Sequence, residues 1–192
     1  QIGNLGLARS NPDRVYVNVI NTLFGGRFTS MLNDALRVSS GLTYGANSFF
    51  SERRLRGSFV ISTYTRNETT EKAIDLTLEV LKRLHEKGVT ESELTSAKNY
   101  IKGQFPPRIE TTDQIATQMA QLAFYGLDER EVNDYYARID SMSLADARRV
   151  IRDHFPLDNL VFVLIGKRSE IEGVAKKYAQ VIDHKAINQP GF

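Results

Sequence analysis

At 192 residues the chain is long enough to bury a core, as one large domain or two small ones, and its 41% hydrophobic and 25% charged residues are those of an ordinary globular protein. With 25 basic against 23 acidic residues the net charge is +2, which argues against a dedicated nucleic-acid or anionic-membrane surface. The absence of cysteine excludes disulfides, thiol catalysis and thiolate metal sites while fitting a reducing or an oxidising compartment, and no apolar run approaches the ~20 residues that cross a membrane.

The opening QIGNLGLARS has neither an initiator Met nor the charged-then-apolar pattern of a signal peptide, and reads as the start of a fragment or processed chain. Ile2, Leu5 and Leu7 suggest a first strand, weakened by the intervening glycines. Asn11-Pro12-Asp13 reads as a helix start, with Asn as N-cap and Pro at the first helical position. The following RVYVNVINTLF is rich in β-branched residues and strand-like in composition. Its Val15, Val19, Ile20, Leu23 and Phe24 nevertheless fall on one helical face, so the spacing predicts a helix. Gly25-Gly26 ends or breaks it. A second helical pattern over 26–38 aligns Phe28, Leu32, Ala35 and Leu36, and Gly41 suits the residue just past its end.

Thr43–Phe50 and Arg56–Thr65 are strand candidates joined by the polar SERRL, giving an antiparallel hairpin. The cluster Arg53, Arg54, Arg56 reads as a solvated loop. Helices then dominate. Thr70–Lys87 puts Ile74, Leu78, Leu81 and Leu84 on one face and stops at Gly88. Thr90–Glu93 forms a capping box before Leu94, Ala97 and Ile101, and Pro106-Pro107 ends that helix. Thr111–Gln114 forms a second box, before an apolar face of Ile115, Met119, Leu122 and Ala123 that stops at Gly126. A shorter helix spans about 129–140, and Ser143 caps another through His154. The wholly apolar LVFVLI at 160–165 predicts a strand buried on both faces. Ser169–Glu172 forms a third capping box opening a last helix to about Gln180.

Few strands among many helices predict an α+β fold, a mostly antiparallel sheet with helices packed on one face. No composition shift or linker divides the chain, so residues 1–180 read as a single domain and 181–192 as a tail or linker.

A search for catalytic motifs finds little. His85, His154 and His184 are far apart in sequence and no H-x-x-E-H or H-E-x-x-H occurs, so the chain by itself offers no zinc site. His85 and His154 read as cations at helix ends. There is no G-x-S-x-G, no phosphate-binding loop, and no dinucleotide fingerprint around Gly25-Gly26 or Gly41. What remains is the hinge LRVSSGLTYG, which sets Arg37 in a last helical turn and Tyr44 at the start of a strand, seven residues on. An Arg with fixed donors and a Tyr hydroxyl suit a peptide carbonyl and an oxyanion. On the residues alone the simpler account is favoured, with Arg37 a helix-end cation capping carbonyls and Tyr44 a half-buried strand aromatic.

The stretch NTLFGGRFTSMLNDALRVSSGLTYGANSFF resembles a segment of the pitrilysin/insulinase family of zinc peptidases, which includes the mitochondrial processing peptidases. The shared elements are Leu23-Phe24-Gly25-Gly26, Ser30-x-Leu32, Leu36-Arg37 and Gly41-Leu42-Thr43-Tyr44. The likeness extends to TESELTSAKNYIKGQF and LVFVLIG. It implies the zinc-lacking second half of a metallopeptidase, again an antiparallel sheet backed by helices. Zinc would be bound by a homologous zinc-bearing domain or subunit and not by this chain. Arg37 and Tyr44 would reach across to the peptide substrate and stabilise the transition state, and the chain alone would be inactive. The alternative it implies is a non-catalytic structural or assembly homologue of the same family. Bacterial relatives are often exported, which favours a periplasmic or secreted setting slightly.

Overall fold

The computed structural model describes residues 1–189. Four strands form one sheet in the order β2-β3-β1-β4, with β1 at Ile2–Leu5, β2 at Ala46–Phe50, β3 at Ser58–Thr63 and β4 at Val161–Phe162. Every pairing is antiparallel, and one row runs from Ser48 through Ile61 and Ile2 to Phe162. Side chains alternate across the pleat. Ile2, Ala46, Ser48, Phe59 and Ile61 are buried beneath the helices, whereas Leu5, Phe49 and Val161 lie on the open face. The α+β architecture with helices on one face is the one the sequence predicts.

The helices are α1 (Arg14–Asn21), α2 (Met31–Asn33), α3 (Thr70–Lys87), α4 (Glu91–Gln104), α5 (Thr112–Tyr125), α6 (Arg130–Asn133), α7 (Tyr135–Ser141), α8 (Leu144–His154) and α9 (Arg168–Tyr178). Both α1 and α2 run on into wider π-type turns, Thr22–Gly26 and Asp34–Ser39. The core gathers around Phe24, Phe59 and Phe155, whose rings meet edge-on or tilted at centroid distances of 5.5 to 6.2 Å. Leu32, Leu36, Leu81, Leu84 and Leu94 close round them.

α1 is buried nearly all round: Val15, Val17, Val19 and Ile20 are each at most 1% exposed. It starts later than Asn11-Pro12 implied. Asn11 sits in the preceding turn, its Oδ1 accepting from the Asp13 N–H, and Asp13 is the N-cap. The Asp13 side chain caps nothing on its own helix. It takes two hydrogen bonds from Arg149 and one contact from His154 Nε2, at 2.6 to 2.9 Å. These tie the start of α1 to the end of α8. Arg149 hydrogen bonding outweighs the opposing effect of burial, and with help from His154 it holds the Asp13 carboxyl down at about 2.

The three long-helix boundaries set by local chemistry fall where the sequence puts them. α3 ends at Gly88, where φ is +66°. Reciprocal capping boxes open α4 at Thr90/Glu93 and α5 at Thr111/Gln114. Ser143 and Asp146 form a further box at α8. The Ser169–Glu172 box does not form, because the helix begins two residues earlier, at Arg168 after Lys167, and Glu172 pairs instead with Arg168 and Lys176. The 129–140 helix is split between α6 and α7 at Asp134.

The LVFVLI segment departs furthest from expectation. The strand itself is only Val161–Phe162, at the sheet edge and prolonged by a reciprocal Val163–Gln1 backbone pair, and Val161, Val163 and Ile165 are exposed. A strand buried on both faces needs a second layer, and among the described residues the helices lie on one side only. His85 is half-buried rather than solvated; its Nε2 lies 2.6 Å from the Phe155 carbonyl and joins α3 to the end of α8. Residues beyond α9 are mostly irregular to 189, and the last three residues of the expected tail, 190–192, lie outside the described residues.

Candidate functional site

The corner where α1, α2 and β2 meet is built by small and amide side chains. Gly25 lies against β2: a Cβ there would stand 2.5 Å from the Ser48 nitrogen and 2.7 Å from Leu32 Cδ1, so no side chain fits. Asn21 donates to the Ser48 carbonyl at 3.0 Å and accepts from Ser48 Oγ at 2.6 Å, a buried reciprocal pair. Asn33 donates to the Phe28 carbonyl and accepts from the Ala46 N–H. These bonds seal the free edge of β2 and place the end of α2 beside its first residue.

Ser30 caps α2, which leaves Phe28 outside the helix and 67% exposed, contrary to the predicted inward face. The helix end closes on Gly41, at φ +63°, with the Leu42 N–H bonding back to the Leu36 carbonyl. The next four residues form a loop instead of the first turn of a strand. Three threonines pin it: Thr43 and Thr63 donate to the Gly45 carbonyl and Thr65 to the Leu42 carbonyl, at 2.8 to 3.0 Å. Tyr44 is thrown outward and is 83% exposed.

Arg37 and Tyr44 line one open cleft of about 410 Å³. The Arg37 guanidinium stacks 4.6 Å over the Phe28 ring, which explains the exposed Phe. Among the described residues neither the Arg37 guanidinium nor the Tyr44 hydroxyl has an ion-pair or hydrogen-bond partner in the protein. The helix-end-cation account of Arg37 therefore loses its capping bond, and the half-buried account of Tyr44 fails on exposure. Arg27, Tyr64 and Tyr100 share the cleft. Arg27 donates to Ser96 Oγ, lies 5.9 Å from the centre of the Tyr100 ring, and leaves its Nε buried without a partner. Sequence reading missed these three; Arg27 directly follows the double glycine, whereas Tyr64 and Tyr100 come from separate stretches with no local signal. Among the described residues no carboxylate, imidazole or thiol lines the cleft, and no group of three potential metal ligands occurs. The arrangement can donate hydrogen bonds to oxygen acceptors. It does not fit a zinc ion.

Comparison with known proteins bears on most of the chain. A family model described as the peptidase M16 inactive domain matches residues 1–101. A non-peptidase homolog, YmxG, from Helicobacter pylori is 28% identical over 154 residues, 79% of this chain and 35% of its own length. An uncharacterized zinc protease, SCO5738, from Streptomyces coelicolor is 28% identical over 152 residues, 79% of this chain and 33% of its own. The chain thus spans about a third of the length of these curated relatives. The crystal structure of a peptidase M16 inactive domain from Pseudomonas fluorescens superposes with a TM-score of 0.77 at 28% identity, over 83% of this chain and 38% of that one.

Proposed function

The chain belongs to the peptidase M16 inactive-domain family, and from that premise we propose that it is the zinc-lacking half of a zinc metallopeptidase. Zinc is held by a homologous partner domain or subunit, and this chain contributes donors. In this reading Arg37 binds a carbonyl oxygen of the peptide substrate, and its fixed guanidinium fork orients that segment of backbone. Tyr44 donates its hydroxyl proton in a hydrogen bond to the oxygen that gains charge as the scissile carbonyl becomes tetrahedral. Both side chains emerge from elements fixed by buried bonds, while their polar ends stay free to meet a ligand. The observation that carries the reading is the pairing of two unpartnered donors, Arg37 and Tyr44, in a cleft without any carboxylate.

The experiment combines this chain with its zinc-bearing half and measures peptide cleavage. The chain alone should be inactive, and Tyr44→Phe should lower kcat/KM of the assembled pair by about 10²–10³-fold. The name of the Helicobacter pylori relative favours a second reading, a non-catalytic structural or assembly homologue. Under that reading the assembled pair would carry no zinc and cleave nothing, and the substitutions at Arg37 and Tyr44 would be silent.

A further inference from the structure

A second, roomier cavity lies at the other end of β2 from the Arg37/Tyr44 cleft. It is a groove of about 910 Å³ beneath α5, walled on one side by Phe49 and Tyr135 and on the other by Phe124 and Tyr125. α5 is built the wrong way round for a helix that simply packs on a core. Gln118, Gln121 and Thr117 turn toward the groove, whereas Ile115 and Met119 are about half exposed to solvent. Leu122 is its only buried residue.

The groove floor is charged and already organised. Arg9 donates to Glu52 at 2.7 Å, and Arg14 pairs with Glu131 and lies 3.7 Å from Glu52. Glu131 also accepts from Arg138 at 2.7 Å. Side chains of Arg9, Arg14 and Glu131 are only 10 to 13% exposed. Burial pushes the Glu131 carboxyl up, but its two arginines bring it below the usual range. Such buried ion pairs add little net stability, so they are a costly way to fill space. Arg108, on the rim, lines the same groove and has no ion-pair partner among the described residues. Three guanidiniums, Arg9, Arg14 and Arg108, therefore line the groove with two carboxylates, Glu52 and Glu131, and the surplus is positive.

We propose that this groove is a binding site for an amphipathic organic carboxylate. The apolar body lies against Phe49, Phe124 and Tyr125, the carboxylate meets the Arg108 fork, and the inward amides of Gln118 and Gln121 supply further donors and acceptors. The C-terminal residue of a short peptide and a free aryl or alkyl acid share this chemistry. The site is separate from the Arg37/Tyr44 cleft and does not depend on the role given to that pair.

The test is a calorimetric and amide-NMR titration of the isotope-labelled chain without any zinc-bearing half. The probes are N-acetyl-phenylalanyl-leucine with a free carboxylate, its C-terminal amide, and dodecanoate. The dipeptide acid or dodecanoate should bind and shift the amides of Phe49 and Phe124, and whichever binds tighter identifies the source. The amide should bind at least about tenfold more weakly than the acid. Arg108→Gln should abolish that preference and Arg108→Lys should restore part of it; Arg108 is exposed, so melting temperatures of both variants should match the parent. Equal affinity of acid and amide, an undiminished preference in Arg108→Gln, or no binding of either carboxylate would overturn the proposal.

Discussion

α1 and α5 are helices formed for opposite reasons. α1 is a poor helix by composition, since Val15, Val17, Val19 and Ile20 all favour strands. It is helical because its surroundings demand it: core on nearly all sides, the Asp13–Arg149 bonds at its start and the Asn21–Ser48 pair at its end. α5 has every local signal, a reciprocal capping box at Thr111 and a left-handed Gly126 at its end, yet it buries one residue. Tertiary contacts make the first helix and local chemistry the second. A scaffold that must hold side chains in place needs the first kind; a wall over a groove can be the second.

That contrast can be broken most forcefully at Gly25. A Cβ at this position would sit within 3 Å of both the β2 backbone and Leu32. Gly25→Ala should cost about 3 kcal/mol by forcing α1 off the strand, read as a shift in the denaturant midpoint. If it costs nothing, the corner is not the rigid seat described here.

The clamp on α1 also predicts an acid limb. The Asp13 carboxyl is held near 2, below its ordinary 3.8, so its ionised form is favoured by folding. The stabilisation is complete above about pH 4 and disappears as pH falls toward about 2. Allowing for partial solvent screening it amounts to about 1–2 kcal/mol. Asp13→Asn should remove this part of the pH dependence in acid unfolding curves while lowering stability at neutral pH. An unchanged acid limb would mean the bonds to Arg149 and His154 contribute nothing.

The smallest effect belongs to α5. Met119→Ser removes an apolar side chain that faces water and should change stability by less than about 0.5 kcal/mol. A loss as large as that at Gly25 would show that α5 is packed after all and that the two helices are alike.

The same contrast explains what was legible in the sequence. Caps and stops at Thr90, Thr111, Gly88 and Gly126 were readable because each is decided within a few residues. The α1 helix was readable because its apolar spacing outvoted its β-branched composition. Burial was not readable where it depends on what lies opposite. Ile115, Met119, Val161 and Val163 form apolar patterns as regular as any core face, but no layer among the described residues covers them. Phe28 looked like a core residue and instead carries the Arg37 guanidinium. Arg37 and Tyr44 stand out at the hinge LRVSSGLTYG, and the family resemblance supplies the role expected of them. The strand expected from Thr43 begins three residues later, at Ala46, because Thr43, Thr63 and Thr65 hold a loop that a local pattern does not reveal. The groove under α5 had no sequence signature, since Arg9, Arg14, Glu52, Arg108 and Glu131 come from five separate stretches of chain.

The central claim is that Arg37 and Tyr44 act on substrate from rigid supports. Its most direct test is kcat/KM of the pair assembled from this chain and its zinc-bearing half, measured for Arg37→Ala and Tyr44→Phe alongside their melting temperatures. Tyr44→Phe should melt as the parent does and Arg37→Ala close to it, because among the described residues neither side chain has a hydrogen bond or ion pair to lose and Arg37 gives up only its stacking on Phe28. Tyr44→Phe should cost about 10²–10³-fold in kcat/KM, and Arg37→Ala should also lower it. Unchanged kcat/KM in both variants would contradict the account.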